Sequence, residues 1–253
     1  MSGRGAFATE AEMVREFLRN LERVEPKRWT VYPETGDWDL LLVHSTGYQV
    51  GLEAKLSLNA KVIDQALTDQ HSVWRTRGPD YRGVVVPQGG KQLHLGRICA
   101  AIGIGICTVR QPEPGRFYGS GLPSEINSND WPNWCPAERV PLPDYVPDVE
   151  AGKSAPVKLT EWKIRAIRLM IVLERRGFVT RDDMKKIQIS PSRWTDCYNG
   201  FLAKGDGGYV RCDATPDLRA QHPVNYAQIE ADVDAWSSVM KLAPLNREKA
   251  LLI

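Results

Sequence analysis

The sequence predicts two domains: an α/β domain with a mixed β-sheet flanked by helices over residues 1–110, and a mainly α domain over 157–253. Three observations predict this. Short β-type runs alternate with helical patterns up to residue 110, nine of the seventeen prolines fall in 111–156, and helical periodicity dominates from 157 onward. At 253 residues, 42% hydrophobic and 25% charged, the chain has an ordinary globular composition and is long enough to bury a core.

Residues 6–25 read as an amphipathic helix. Phe7, Glu10, Val14, Phe17, Leu18, Leu21 and Val24 fall on one side, Arg15, Glu16, Arg19 and Arg23 lie toward the other, and Pro26 stops it. "RWTVY", "DWDLLLVH" and "YQVGLEAKLS" follow, separated by turn-rich segments at Pro33–Gly36 and Ser45–Gly47, which predicts a three-stranded meander. "NAKVIDQALTDQHSVWRTRG" reads as a helix ending before Gly78-Pro79. "YRGVVVP" has the continuous apolar run of a buried strand, "KQLHLGRICAAIG" reads as a short helix and "IGICTVR" as a closing strand. The Pro-rich stretch 111–156 reads as a linker or a wrapping segment.

Beyond it, "LTEWKIRAIRLMIVLERRG" is a strong helix with Thr160 as its N-cap. "TRDDMKKIQI" is a second, with Thr180 and Asp183 at capping-box spacing, and "SPSRWTDCYNGFLAKG" a third, opened by Ser190 and Pro191. A tight turn in "GDGGYVRCD" follows, and three helices leading into a hairpin is the plan of a winged helix-turn-helix. "NYAQIEADVDAW" adds a last helix. In that plan the third helix reads DNA, with Ser192, Arg193, Asp196 and Asn199 outward and Trp194, Cys197, Tyr198, Phe201 and Leu202 inward. Arg193 and Asn199 are of the types that pair with base edges, while Lys185, Lys186, Lys204 and Arg211 suit phosphates; a protein partner is the other occupant such a module takes.

Composition excludes several classes. The five cysteines are scattered singly, which argues against a disulfide framework or a zinc ribbon and predicts a cytoplasmic setting. No window approaches the ~18 apolar residues of a membrane span, and the N-terminal stretch lacks a signal-peptide run, so no membrane partner is expected. The four histidines are unclustered, and "QGGKQLHLG" lacks the spacing of a phosphate-binding loop. The net charge of +2 is uneven: residues 153–219 carry +6 and the rest −4, which places attraction for a polyanion in the C-terminal third.

The chemistry concentrates in the meander. Glu53 and Lys55 stand two apart on a strand and so share a face, as do Asp37 and Asp39 on the strand before. If the strands pair, carboxylates and an ammonium meet in one patch. Two carboxylates buried side by side repel each other, and a divalent cation such as Mg2+ or Mn2+ resolves the conflict. A lysine beside it suits the orientation of an attacking water or the stabilisation of charge on a phosphate.

With Glu10 on the first helix, Asp39, then Glu53-Ala54-Lys55, and a helix carrying Gln65 or Gln70, residues 6–110 resemble the PD-(D/E)XK nuclease superfamily. The resemblance implies a restriction-endonuclease-like core with Asp39 and Glu53 as metal ligands, the Ala54 carbonyl as a further ligand and Lys55 as the catalytic lysine. It also implies Glu10 as the helix glutamate of the Holliday-junction resolvases and Gln65 as the helix glutamine. The Pro-Asp dipeptide is absent, which leaves Asp37 as a rival; Asp39 abuts the apolar run directly. Spacing from the lysine favours Gln65, whereas helical phase puts Gln70 at the centre of the apolar stripe.

The function implied is metal-dependent endonucleolytic cleavage of DNA, in a setting such as a phage or mobile element. A homodimer or a protein partner is compatible with cutting both strands of a duplex, which calls for two active sites. The alternative is a non-catalytic nucleic-acid-binding or assembly protein with a nuclease-like scaffold, in which Glu53 and Lys55 form only a cross-face ion pair.

Overall fold

Thr9 caps the first helix, α1 (Glu10–Val24), its hydroxyl accepting from the Glu12 N–H at 3.1 Å, with Glu10 and Glu12 complementing the helix dipole in the first turn. The computed structural model describes residues 7–67, 77–89, 93–119, 122, 131–148 and 159–246. The predicted order helix, three strands, helix, strand, helix, strand is present: α1, β1 (Trp29–Thr35), β2 (Trp38–His44), β3 (Gln49–Ala54), α2 (Ala60–Ala66), β4 (Tyr81–Pro87), α3 (Leu93–Ile102) and β5 (Gly105–Val109). The strands form one mixed sheet in the order β1-β2-β3-β4-β5, antiparallel from β1 to β3 and parallel from β3 to β5.

Each face of the sheet buries a core. On one side Leu40, Leu42, Val50, Leu52, Ala54 and Val85 meet Met13, Val14, Phe17 and Leu21 of α1; on the other Leu41, Val84 and Val86 meet Val62, Ile63 and Ala66 of α2 and Cys99 of α3. Trp131 lies so close over β5 that a Cβ on Gly105 would sit 2.1 Å from its ring, and Trp38 crowds Gly51 in the same way at 2.4 Å. Residues 131–142 are thus laid against this sheet, held also by reciprocal hydrogen bonds of 2.9 Å between the Gln49 amide group and the Val140 backbone.

Several local expectations need correction. Phe7 is buried but precedes the helix, Val24 is half exposed, and Glu16 is buried beside Arg19, so the inward face of α1 includes a position expected outside. Pro33–Thr35 belong to β1, and the hairpin turn is Gly36–Asp37, both at positive φ, which a two-residue loop between twisted strands requires. α2 ends at the Leu67 cap; Gln70 lies outside the described residues.

The chain divides into two compact units, residues 1–142 with 149–158 and residues 143–148 with 159–253. In the second, α4 (Glu161–Arg176) is capped by the Thr160 hydroxyl and closed by Gly177 at φ 85°. α5 (Arg181–Lys186) has the Thr180–Asp183 capping box, and Asp183 also pairs with the fully buried Arg176. α6 (Pro191–Thr195) is one turn long rather than the predicted sixteen-residue span, because Asp196 turns extended and its carboxylate accepts the N–H groups of Tyr198 and Asn199. Cys197 and Tyr198, expected inward, are therefore exposed, and Leu202 opens a strand. β6 (Leu202–Gly205) and β7 (Gly208–Arg211) form the hairpin, and Val179 pairs with Tyr209 through two backbone hydrogen bonds.

A short helix, α7 (Leu218–Gln221), comes next, and the single last helix expected over 225–236 is two, α8 (Pro223–Ala231) and α9 (Val233–Val239). Asp148 ties residues 143–148 to them by accepting from Val224 N and Asn225 N and bonding the buried His222 ring at 2.8 Å. Among the described residues no helix is long and apolar enough to cross a membrane.

Candidate active site

Strand register assembles the site. Leu40 pairs with Leu52, so the next step along the antiparallel ladder sets Asp39 opposite Glu53. Leu52 and Ala54 enter the core beneath α1, which turns Glu53 to the opposite face beside Val84. Asp39 bridges the two strands directly: its Oδ2 accepts the Ala54 N–H at 2.9 Å.

Lys55 follows the last residue of β3, its backbone N–H still bonded to the Val85 carbonyl at 3.0 Å. Its ammonium stands where oxygens from three elements converge. Nζ donates to Asp39 Oδ2 at 3.1 Å, to the Ala54 carbonyl at 2.9 Å and to Glu10 Oε2 of α1 at 3.4 Å. Glu10 sits at the start of α1, where that helix meets the end of β3 through this contact.

Electrostatics follow from burial. Glu53 is only 3% exposed, and burial together with the Asp39 carboxylate pushes its carboxyl up to about 8, against the opposing pull of Lys55. Burial works against the charge on Lys55, but Asp39 and Glu10 outweigh it and hold the ammonium above its ordinary pKa.

Four predicted residues, Glu10, Asp39, Glu53 and Lys55, are thus brought together, with the Ala54 carbonyl among them. Asp39, rather than Asp37, is the aspartate that faces Lys55; Asp37 is exposed in the hairpin turn. Gln65 is half-buried on α2. One residue escaped the sequence reading: Glu34 of β1, whose charge also raises the proton affinity of Glu53. Recognising Gly36–Asp37 as the two-residue turn would have placed it opposite Asp39.

The donor chemistry suits a hard divalent cation. Among the described residues no group of three His, Cys, Asp or Glu side chains forms a metal cage. Two carboxylates, Asp39 and Glu53, with the Ala54 carbonyl and waters match the sparse protein ligation that Mg2+ accepts.

In the second unit the predicted DNA-contacting residues are spread over several elements. Lys185 and Lys186 are exposed on α5, the latter paired with Asp182 at 2.8 Å. Ser192 and Arg193 are on α6, where the Ser192 hydroxyl meets that of Ser190 and Arg193 stacks over Trp162. Asn199 is in the turn made by Asp196, Lys204 is exposed on β6, and Arg211 on β7 pairs with Glu174 at 3.2 Å.

No family model, no curated protein and no solved structure matches this chain.

Proposed function

We propose that the first unit is a metal-dependent endonuclease that hydrolyses DNA phosphodiester bonds. One observation carries the reading: a lysine ammonium and three carboxylates, drawn from α1, β2 and β3 and far apart in sequence, meet at the end of two paired strands. Core packing alone does not call for such a gathering, since burying like charges is costly and an apolar pair would fill the same space more favourably.

Asp39 and Glu53, with the Ala54 carbonyl, would hold Mg2+ or Mn2+. Bound there, the ion supplies a Lewis acid for a phosphate oxygen and lowers the pKa of its water. Lys55 orients the attacking water and counters the charge that builds on phosphorus, and Glu10 holds the Lys55 ammonium in place. Gln65 supports the site from α2. The order α4, the Val179 bridge, α5, α6 and the β6–β7 hairpin supports a winged-helix reading of the second unit, with DNA or a protein partner as its ligand. Its phosphate contacts would come from Lys185, Lys186, Lys204 and Arg211, and its base contacts from Ser192, Arg193 and Asn199.

The test is cleavage of supercoiled plasmid and of branched DNA by the purified chain with Mg2+ or Mn2+, beside Lys55→Ala and an EDTA control. Nicking that requires both metal and Lys55 is expected. Binding of DNA with no cleavage of either substrate would favour the non-catalytic scaffold.

A further inference from the structure

The solvent side of α1 is a line of arginines. Arg15, Arg19 and Arg23 follow one another at a spacing of four, so they share one face, and all three are exposed. The line runs from the Glu10 end of the helix to Arg23, about 20 Å further along at 1.5 Å per residue. There it meets an aromatic pair. The Arg23 guanidinium donates to the Asn20 side-chain carbonyl and, at 2.7 Å, to the Tyr118 backbone carbonyl, and it lies over the Phe117 ring at 4.9 Å from the centroid. Arg110, just past β5, lies over the Tyr118 ring at 5.1 Å. With Arg23 in place Phe117 is still 79% exposed.

We propose that this face docks single-stranded DNA, with Phe117 stacking on a base and the α1 arginines taking phosphates as the strand runs toward Lys55. The inference rests on the reading of this chain as acting on DNA. A lone exposed ring needs no explanation, but this one is bracketed by fixed guanidiniums. Among the described residues neither Arg23 nor Arg110 has an ion-pair partner. The acids nearby are engaged elsewhere: Glu16 is buried against Arg19 at 2.6 Å, Glu113 pairs with Arg116 at 3.1 Å, and Glu22 accepts the Lys27 N–H. An apolar partner would cover Phe117 and strand the arginines around it, whereas a strand of DNA offers phosphates to the cations and a flat face to the ring. A duplex does not fit as well, because its bases are already stacked on one another. At 3.4 Å per phosphate the line along α1 accommodates about six nucleotides.

The experiment is fluorescence anisotropy with the full chain in EDTA, so that nothing is cut, against a labelled DNA strand, its duplex and the RNA strand of the same sequence. The proteins are the wild type, Phe117→Ala, Phe117→Trp and Arg23→Gln, with plasmid nicking in Mg2+ run beside them. Phe117→Ala should bind the DNA strand roughly 10-fold more weakly, the scale of one lost base stack, and the duplex as before. Phe117→Trp, which keeps a stacking face, should restore the affinity, and Arg23→Gln should lower the salt slope by about 0.7. Unchanged strand affinity in Phe117→Ala, with the wild type nicking plasmid, overturns this inference and leaves the nuclease reading intact. An equal loss on duplex, or tighter binding of the RNA strand, overturns the assignment to single-stranded DNA. A loss of self-association in Phe117→Ala with DNA affinity unchanged gives the ring to a second copy of the chain and overturns the inference too. Phe117-dependent binding of the strand by a chain that cuts no DNA supports the inference and overturns the nuclease reading.

Discussion

Glu53 is the residue at which folding and chemistry oppose each other. Its carboxyl sits nearly out of water beside Asp39, so the folded chain binds a proton there more tightly than the unfolded chain does. The sign of the pH effect follows. Stability is greatest below the ordinary 4.5 and falls as pH rises toward about 8, because over that window the unfolded state releases the proton and the folded state retains it. In metal-free buffer the melting temperature should therefore decline across this window, Glu53→Gln should flatten the decline, and Mg2+ or Mn2+ added near pH 8 should restore part of it. Scanning calorimetry at stepped pH, with and without the ion, reads all three. Lys55→Ala should lower the nicking rate by about 100-fold or more, the scale of a lost proton-transfer or charge-stabilising group, while circular dichroism stays that of the wild type. Glu53, Lys55 and Asp39 were legible at this scale because strand alternation is local. Glu34 was not, since its place depends on which two residues make the turn.

At the scale of elements, the Trp131 and Trp38 rings pack against strand glycines of the first unit, Gly105 and Gly51. Gly105→Val should destabilise it by about 1–3 kcal/mol or more, because Trp131 occupies the space a side chain would take. Urea unfolding compared with a conservative change elsewhere on β5 measures this. In the second unit Asp183 serves twice, in the capping box of α5 and as the partner of buried Arg176. Asp183→Ala leaves that guanidinium without its carboxylate and should cost about 3–5 kcal/mol, far above the ~1 kcal/mol of a lost cap alone. Thr180→Ala, which removes only the hydroxyl of the cap, provides the comparison. The capping residues Thr160 and Thr180 were readable from sequence, as caps depend on near neighbours. The early end of α6 was not: the run from Ser190 to Gly205 has helical periodicity, and only the Asp196 carboxylate turning back to two backbone N–H groups broke it.

On the scale of the whole molecule, each unit has a core of its own, and the cut between them falls among the prolines. Residues 143–246 should fold alone and melt cooperatively, whereas a fragment starting at 159 should be less stable, since it lacks Asp148, the anchor of His222 and Asn225. Thermal melts of the two fragments decide this. If the second unit docks DNA through phosphates, Lys185→Ala and Lys204→Ala should each weaken binding evenly across sequences and reduce the salt dependence by about one unit of slope. Binding isotherms at stepped salt measure the slope, and an unchanged value would assign those lysines to solvent or to a protein partner.

By itself the sequence determined the order of elements in the first unit, the face shared by Glu53 and Lys55, and the helix caps. All of these arise from interactions within a few residues, which period and residue type record. Only the tertiary structure decided that β2 and β3 pair in the register that sets Asp39 against Glu53, that Glu10 reaches Lys55 from α1, that Glu16 is buried, and that Glu34 comes near enough for its charge to act on Glu53. Those facts depend on which strands lie side by side and how the helix crosses them, and that is settled by the whole core packing at once.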